Sequence, residues 1–184
     1  MGFSAQAYES ADEFWRSFDP SQSSCIIFDG RTTVGGVSLA ECLAREPLAP
    51  PLIYVSDETN VTTVVRAIRQ GALEFLQKRA YSETDLWEAI QRGLALDAAK
   101  RINHARLMER QARIASLSEP ERQVLRLLLL GKNNREIALE CGISRVAAEG
   151  RRTRMMKKLG VTNLVALVRC AIEAGFEGDR RLGV

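Results

Sequence analysis

Three polar side chains in the first half of this 184-residue chain could do phosphoryl chemistry together: Asp29, Ser56 and Lys78. Each follows a short apolar segment with the composition of a buried strand. An aspartate can act as a nucleophile, while a hydroxyl and an ammonium group contact the oxygens on which negative charge develops. The three residues could therefore form a phosphate-accepting pocket if the fold brings them together.

The elements around these residues indicate how they would meet. Four segments have the composition of buried strands, the first and last of them more weakly: residues 2–8, 24–28, 52–55 and 73–77. Three helical patterns alternate with them, at residues 10–18, 37–45 and 61–70. This alternation predicts a doubly wound α/β sheet, in which the carboxyl ends of the strands lie at one edge.

Residues 1–96 resemble the receiver domain of two-component response regulators, and the stretch Gly-Ala-Leu-Glu-Phe-Leu-Gln-Lys at 71–78 is the most specific local match. The resemblance implies a flavodoxin-like fold. It places Asp29 at the phosphoacceptor position, Ser56 at the switch hydroxyl, Phe75 at the switch aromatic and Lys78 at the invariant lysine.

The front half also departs from the receiver pattern. Arg79 stands where proline would follow the lysine, and the loop at residues 30–36 lacks the usual Met-Pro and is one residue short. Residues 1–8 resemble the second strand of a receiver, so the first strand, its acidic pair and the first helix are expected to be absent. Because the acidic pair holds Mg²⁺ in the family, Mg²⁺ is expected only for a complete receiver, and no metal site is predicted. Phosphorylation of Asp29 is predicted to be weak or absent.

The loss of that strand leaves three structural alternatives. Residues 2–8 pair directly with residues 24–28, or residues 25–28 form an apolar edge that invites another chain. In the third alternative the true start codon lies upstream and completes the receiver.

The two halves of the chain carry opposite charge. Residues 1–96 contain 8 Lys and Arg against 13 Asp and Glu, whereas residues 97–184 contain 18 against 10, so their net charges are −5 and +8. Concentrated positive charge favours a polyphosphate partner, because each neutralised phosphate releases counterions. Between the halves, residues 97–115 favour an exposed helical linker, with good helix formers and few apolar positions.

Four short helices are predicted in the basic half, the first started by a capping box at Ser118 and Glu121. They span residues 119–130, 134–140, 145–159 and 163–174, the last capped by Thr162. Gly142 permits a tight turn between the second and third helices. Two short helices joined by a glycine turn, the second of them basic, describe a helix-turn-helix.

The third of these helices has one apolar and one basic face at 100° per residue. Ala148, Met155 and Leu159 fall on the side that would pack against the bundle. Small residues on the opposite face would let the helix approach base edges, while Arg and Lys would reach phosphates. The predicted DNA-binding residues are Arg145, Glu149, Gly150, Arg151, Thr153, Arg154, Lys157 and Lys158.

Residues 114–176 resemble the LuxR-type DNA-binding domain, so the whole chain resembles FixJ/NarL response regulators. The matching motifs are Glu-Arg-Gln-Val-Leu at 121–125, Gly-Lys-Asn-Asn-Arg-Glu-Ile-Ala at 131–138, Gly-Ile-Ser at 142–144 and Lys-Leu-Gly-Val at 158–161. The resemblance implies a transcription regulator that binds double-stranded DNA as a homodimer through residues 163–174, with the front half as a further pairing surface. Ala147, Ala148 and Arg151 depart from the family's Thr-Val and His, so the target sequence is not expected to match that of relatives.

Other classes of site find little support. The cysteines, at positions 25, 42, 141 and 170, form no CxxC pair, and His104 is the single histidine, which excludes a His-based metal cage and a Ser/His/Asp triad. No enzyme active site is visible. No apolar run approaches the roughly 20 residues of a membrane helix, and no secretory signal is present, so a cytoplasmic protein without membrane contact is expected.

The sequence thus predicts a receiver-like domain at residues 1–96, the linker, a helix-turn-helix domain at 116–178 and a tail at 179–184. The leading hypothesis is a DNA-binding regulator with impaired phosphorylation. One alternative is a phosphorylation-dependent response regulator completed by upstream residues. Another is an interaction module that has lost DNA affinity and titrates partner regulators. The sequence identifies no sensor kinase.

Overall fold

The computed structural model describes residues 3–19, 21–29, 43, 46–57 and 60–176. It separates into a front unit, Met1–Ile102, and a back unit, Asn103–Val184. None of the helices in the described ranges is both long and apolar enough to cross a membrane.

The front unit contains a parallel sheet of three described strands: β1 (Ile26–Asp29), β2 (Leu52–Ser56) and β3 (Ala72–Gln77), in the order β1-β2-β3. Their register places Phe28 beside Tyr54 and Tyr54 beside Phe75. The three rings contact across the sheet, with centroids 5.3 Å and 5.5 Å apart. The sheet class and the three strands agree with the sequence-based prediction.

The predicted strand at residues 2–8 is wrong over its described part, 3–8, which is irregular. Its aromatic side chains pack on helices instead, since Phe3 lies 4.5 Å from Trp87 and Tyr8 lies 5.5 Å from Phe14, centroid to centroid. Direct pairing of this segment with β1 is therefore not the arrangement found. Among the described strands, β1 pairs with β2 alone.

Three helices beside the sheet have both ends within the described residues: α1 (Ala11–Ser17), α2 (Val61–Arg69) and α3 (Glu83–Ala115). Of the predicted helix at residues 37–45 only Leu43 is described, and the loop at residues 30–36 lies outside the described residues. Ala89 of α3 is buried with Ile53, Val55 and Leu76 on one side of the sheet.

The side of the sheet that carries Leu52 forms a second core. Leu52 clusters with Leu43 and Ala49, and Phe14 and Trp15 of α1 pack against this group. Helix α1 begins where the sequence predicts, because the Ser10 hydroxyl accepts a hydrogen bond from the Glu13 amide (3.2 Å).

Helix α3 lies unusually close to the start of β1. A Cβ atom added to Gly93 would lie 2.5 Å from the Cys25 sulfur, so only glycine fits at this contact without a shift. Burial raises the pKa of the Cys25 thiol to about 11, with a smaller contribution from the nearby charge of Asp97. Asp97 is itself fully buried and accepts hydrogen bonds from the Ser24 amide (2.9 Å) and from Arg101 Nε (2.6 Å).

Four further helices lie in the described part of the back unit: α4 (Glu119–Leu129), α5 (Asn134–Glu140), α6 (Arg145–Leu159) and α7 (Leu164–Glu173). The predicted cap of the last helix, Thr162, is wrong by one residue, because the Asn163 side chain accepts the hydrogen bond from the Ala166 amide (2.8 Å). The core is built around Val124, Leu125 and Leu167, all fully buried, with Ile114 at the end of α3 included. The helical architecture agrees with the prediction.

Candidate nucleic-acid interface

Helix α6 has one face in the core and one in solvent. Ala148, Met155 and Leu159 are buried to 1% exposure or less. Thr153, Arg154 and Lys157 are exposed on the other side, and the α6 sequence holds six Arg and Lys residues against one Glu. The sequence therefore predicted the orientation of this helix correctly, and its outward surface is basic.

The start of α6 is set by local hydrogen bonds. Gly142 has a φ of 62°, a left-handed conformation that suits glycine and turns the chain sharply after α5. The Ile143 amide then donates to the Ala138 carbonyl (2.9 Å), and the Ser144 hydroxyl accepts from the Ala147 amide (3.2 Å). The first turn of α6 is thus fixed relative to α5.

The end of α6 is held by two charged side chains from other helices of the back unit. Arg113 Nη1 donates to the Leu159 carbonyl (3.2 Å), which satisfies one of the free carbonyl groups at the helix terminus. Lys158 Nζ lies 2.7 Å from Oε2 of the buried Glu121. These contacts add to the apolar packing of α6 against the core of the back unit.

A polar cluster joins α5 to the first two turns of α6. The Glu149 Oε1 atom lies 3.3 Å from Arg145 Nε and 3.4 Å from Asn134 Nδ2. Asn134 Oδ1 in turn accepts a hydrogen bond from Arg152 Nη1 (3.1 Å). This cluster holds Glu149 at the rim of the basic face.

The predicted DNA-binding residues fall into two groups. The exposed group is Arg145, Glu149, Thr153, Arg154, Lys157 and Lys158, while Gly150 and Arg151 are half-buried. Lys158 is the one among them that is bound to a buried carboxylate of the domain core, Glu121. The structure thus places Thr153, Arg154 and Lys157 on the outward face of α6, and the part of the eight residues in DNA binding stays a prediction.

Sequence reasoning missed two residues of α6. Val146 is 77% exposed on the first turn of α6, at an angle on the helix wheel between Thr153 and Lys157. The sequence carries a sign of this position, because the helix wheel places Val146 on the basic face of α6. Arg152 donates the hydrogen bond to Asn134 that joins α6 to α5, and no pattern in the sequence indicates this pair.

The phosphoacceptor-like residues lie at the carboxyl ends of the strands. Lys78 Nζ is 2.7 Å from Asp29 Oδ2, and both side chains are partly exposed. Ser56 is buried, and its carbonyl accepts a hydrogen bond from the Lys78 amide (3.0 Å). Phe75 stacks on Tyr54 with an angle of 14° between the ring planes. The structure therefore brings Asp29 and Lys78 into contact and places Ser56 and Phe75 on the adjoining strands.

The described side chains at this edge form no cluster of metal ligands. Among the residues that the structure describes, no group of three or more His, Cys, Asp or Glu side chains is placed to hold a metal. One contact of the Asp29 carboxylate is with the ammonium group of Lys78.

Comparison with known proteins decides the family. Residues 115–171 match the family of bacterial regulatory proteins called the luxR family. The response regulator protein TodT of Pseudomonas putida is 32% identical over 170 residues, which cover 92% of this chain and 74% of TodT. The chain belongs to the response-regulator family.

Two further response regulators support this assignment. The transcriptional regulatory protein FixJ of Rhizobium meliloti is 30% identical over 176 residues, which cover 95% of this chain and 86% of FixJ. The solved structure of the response regulator StyR has 32% identity and a TM-score of 0.75, covering 90% of this chain and 84% of StyR. This response regulator is a transcriptional regulator with a LuxR-type DNA-binding domain.

Proposed function

We propose that α6 enters the major groove of double-stranded DNA and that two copies of the chain bind together on a two-fold operator. The observation that carries this proposal is the basic outward face of α6, opposite the buried Ala148, Met155 and Leu159. A helix presented in this way fits the major groove, which is wide enough to admit it.

Arg154 and Lys157 are the residues that we assign to the phosphates. Both are exposed, and the structure gives neither of them an ion pair within the described residues. Long basic side chains can therefore swing to the phosphate groups without first breaking an internal contact. Such contacts orient a protein on the duplex, whereas base contacts supply the specificity.

The second half of the proposal, pairing of two copies, is supported by the outer face of α7. Leu167, Cys170 and Ala171 pack into the core, while Val165 and Ile172 are 71% and 68% exposed. Two exposed apolar side chains seven residues apart lie on one helix face. The same face on a second copy would cover them in a two-fold arrangement through residues 163–174.

Binding-site selection with the purified chain tests this function. Random duplexes are passed over the protein at fixed salt, and retained molecules are sequenced. The proposal expects an enriched motif with two related half-sites. Failure to retain any duplex, even in dilute buffer, would contradict it.

We also infer that Asp29 accepts a phosphoryl group poorly. Support comes from the departures of the front half from the receiver pattern, with Arg79 in place of the proline after Lys78 and a loop at residues 30–36 that lacks the usual Met-Pro. Phosphoryl transfer to a carboxylate depends on several groups that neutralise the transferred charge, and among the described residues Lys78, 2.7 Å from the Asp29 carboxylate, supplies one of them. Incubation with acetyl phosphate and Mg²⁺, followed by a Phos-tag gel, is expected to show little shift. A stoichiometric shift that Asp29→Asn removes would instead favour the phosphorylation-dependent alternative.

A further inference from the structure

Glu149 is the single carboxylate in α6, among six basic residues. Its side chain is 47% exposed, at the rim of the surface that we propose to face DNA. A carboxylate there repels the phosphate backbone and lowers affinity for every sequence. A compensating role would be a hydrogen bond that only a particular base can supply.

The two oxygens of the Glu149 carboxylate have different surroundings. Arg145 and Asn134 both contact Oε1, at 3.3 Å and 3.4 Å. Within the described residues, Oε2 accepts no hydrogen bond. One oxygen is thus held by the protein, and the other is left to accept a bond from outside.

The next residue, Gly150, leaves room for such a bond. A Cβ atom added there would meet nothing within 4 Å. Without a side chain at this position, the backbone of α6 can come close to the floor of a groove, which brings Glu149 within reach of base edges.

The hydrogen-bonding groups of the four bases indicate which base the Glu149 carboxylate can bind. A carboxylate only accepts hydrogen bonds, and in the major groove the donors are the amino groups of cytosine and adenine. Adenine carries the N7 acceptor beside its amino group, while guanine and thymine present acceptor oxygens. These acceptors would face a negative carboxylate unfavourably, so cytosine is the best match.

We propose that Glu149 Oε2 accepts a hydrogen bond from the N4 amino group of a cytosine and makes cytosine the preferred base at one position of each half-site. This inference rests on the proposed function, since it requires α6 to lie in the major groove. It assigns a base-reading role to Glu149 beyond the internal contacts with Arg145 and Asn134.

The test compares base preferences of the full chain and its Glu149→Gln variant. Each position of the selected operator is changed in turn, and binding is measured by fluorescence anisotropy at one salt concentration. For the original chain, replacing the C·G pair by T·A at one position is expected to weaken binding about tenfold, in the range of one good base contact. For Glu149→Gln, the same replacement is expected to cost less than about twofold, and adenine becomes acceptable because an amide can both accept and donate.

Ratios between operators are compared, because removal of a negative charge strengthens binding to all DNA. Glu119→Gln is the matched control: it removes an equivalent charge from an exposed side chain on α4, which pairs with Arg126, and it should leave every ratio unchanged. Thermal unfolding of both variants verifies that they are folded.

Identical base preferences for Glu149→Gln and the original chain would overturn the proposal, and Glu149 would then serve only to hold Arg145 and Asn134. Failure of the original chain to bind any duplex is a different outcome, because it would contradict the proposed function itself. A selected motif without a conserved C·G pair in each half-site would also overturn the cytosine assignment while leaving DNA binding intact.

Discussion

The ammonium group of Lys158 lies 2.7 Å from Glu121 Oε2, and only 7% of the Glu121 side chain is exposed. The same oxygen accepts hydrogen bonds from the Ser118 amide (2.8 Å) and hydroxyl (3.0 Å). One carboxylate therefore caps α4 and fixes the end of α6. Glu121 thereby supports α6, the helix that we assign to DNA.

Loss of this carboxylate should destabilise the back unit. We expect Glu121→Ala to lower the free energy of unfolding by about 2 kcal/mol, since it removes a helix cap and a charge-assisted hydrogen bond. Chemical denaturation followed by circular dichroism measures this. An unchanged midpoint would show that the cap and the ion pair contribute nothing.

The same contacts predict a pH dependence. The pKa of Glu121 is lowered from its ordinary value of 4.5, first by the hydrogen bond from Lys158 and then by that from the Ser118 amide. A lowered pKa in the folded state means that the carboxylate stabilises the fold above about pH 4.5, and that this contribution is lost as the pH falls through the folded-state pKa. Between pH 6 and about pH 3, Glu121→Gln should therefore lose less stability than the original chain. Parallel losses in the two proteins would contradict this.

The two glycines on helices α3 and α6 should respond oppositely to alanine. At Gly150 the added Cβ meets nothing within 4 Å, so Gly150→Ala should raise the free energy of unfolding by up to about 1 kcal/mol. At Gly93 the Cβ would lie 2.5 Å from the Cys25 sulfur, so the gain in helix propensity is offset by a clash and Gly93→Ala should not stabilise. Thermal unfolding measures the stability of both variants. Equal stabilisation by the two substitutions would contradict the close contact between Gly93 and Cys25.

Features of the fold that depend on neighbouring residues could be predicted from the sequence, whereas contacts between distant residues could not. The turn at Gly142 and the burial of Met155 were accessible, because glycine conformation and helical periodicity are properties of neighbouring residues. The contact between Lys158 and Glu121 was not, since it joins residues 37 positions apart and both could have faced solvent. The wrongly predicted strand at residues 3–8 has a similar cause, because the ring of Phe3 packs on Trp87, a residue 84 positions further along the chain.

Pairing through α7 predicts a change in oligomeric state. Val165 and Ile172 are exposed apolar residues, so Val165→Glu with Ile172→Glu should shift the chain to the monomer and weaken binding to a two-site operator more than to a single half-site. Light scattering coupled to size-exclusion chromatography measures the mass. Val61→Glu, at a residue of α2 that is 76% exposed, is the control and should leave the mass unchanged. A chain that is monomeric at every concentration and still binds both half-sites would contradict the pairing.

The salt dependence of DNA binding tests the central claim most directly. The dissociation constant for the selected operator is measured by anisotropy over a range of salt concentrations, for the original chain and for Arg154→Ala with Lys157→Ala. Loss of two phosphate contacts should reduce the slope of log K against log salt by about 1.8 and weaken binding at physiological salt. The matched control, Arg66→Ala with Arg69→Ala, removes two exposed charges from α2 and should change the slope little. Equal slopes and affinities for the original chain and the α6 double variant would contradict the placement of this helix on DNA.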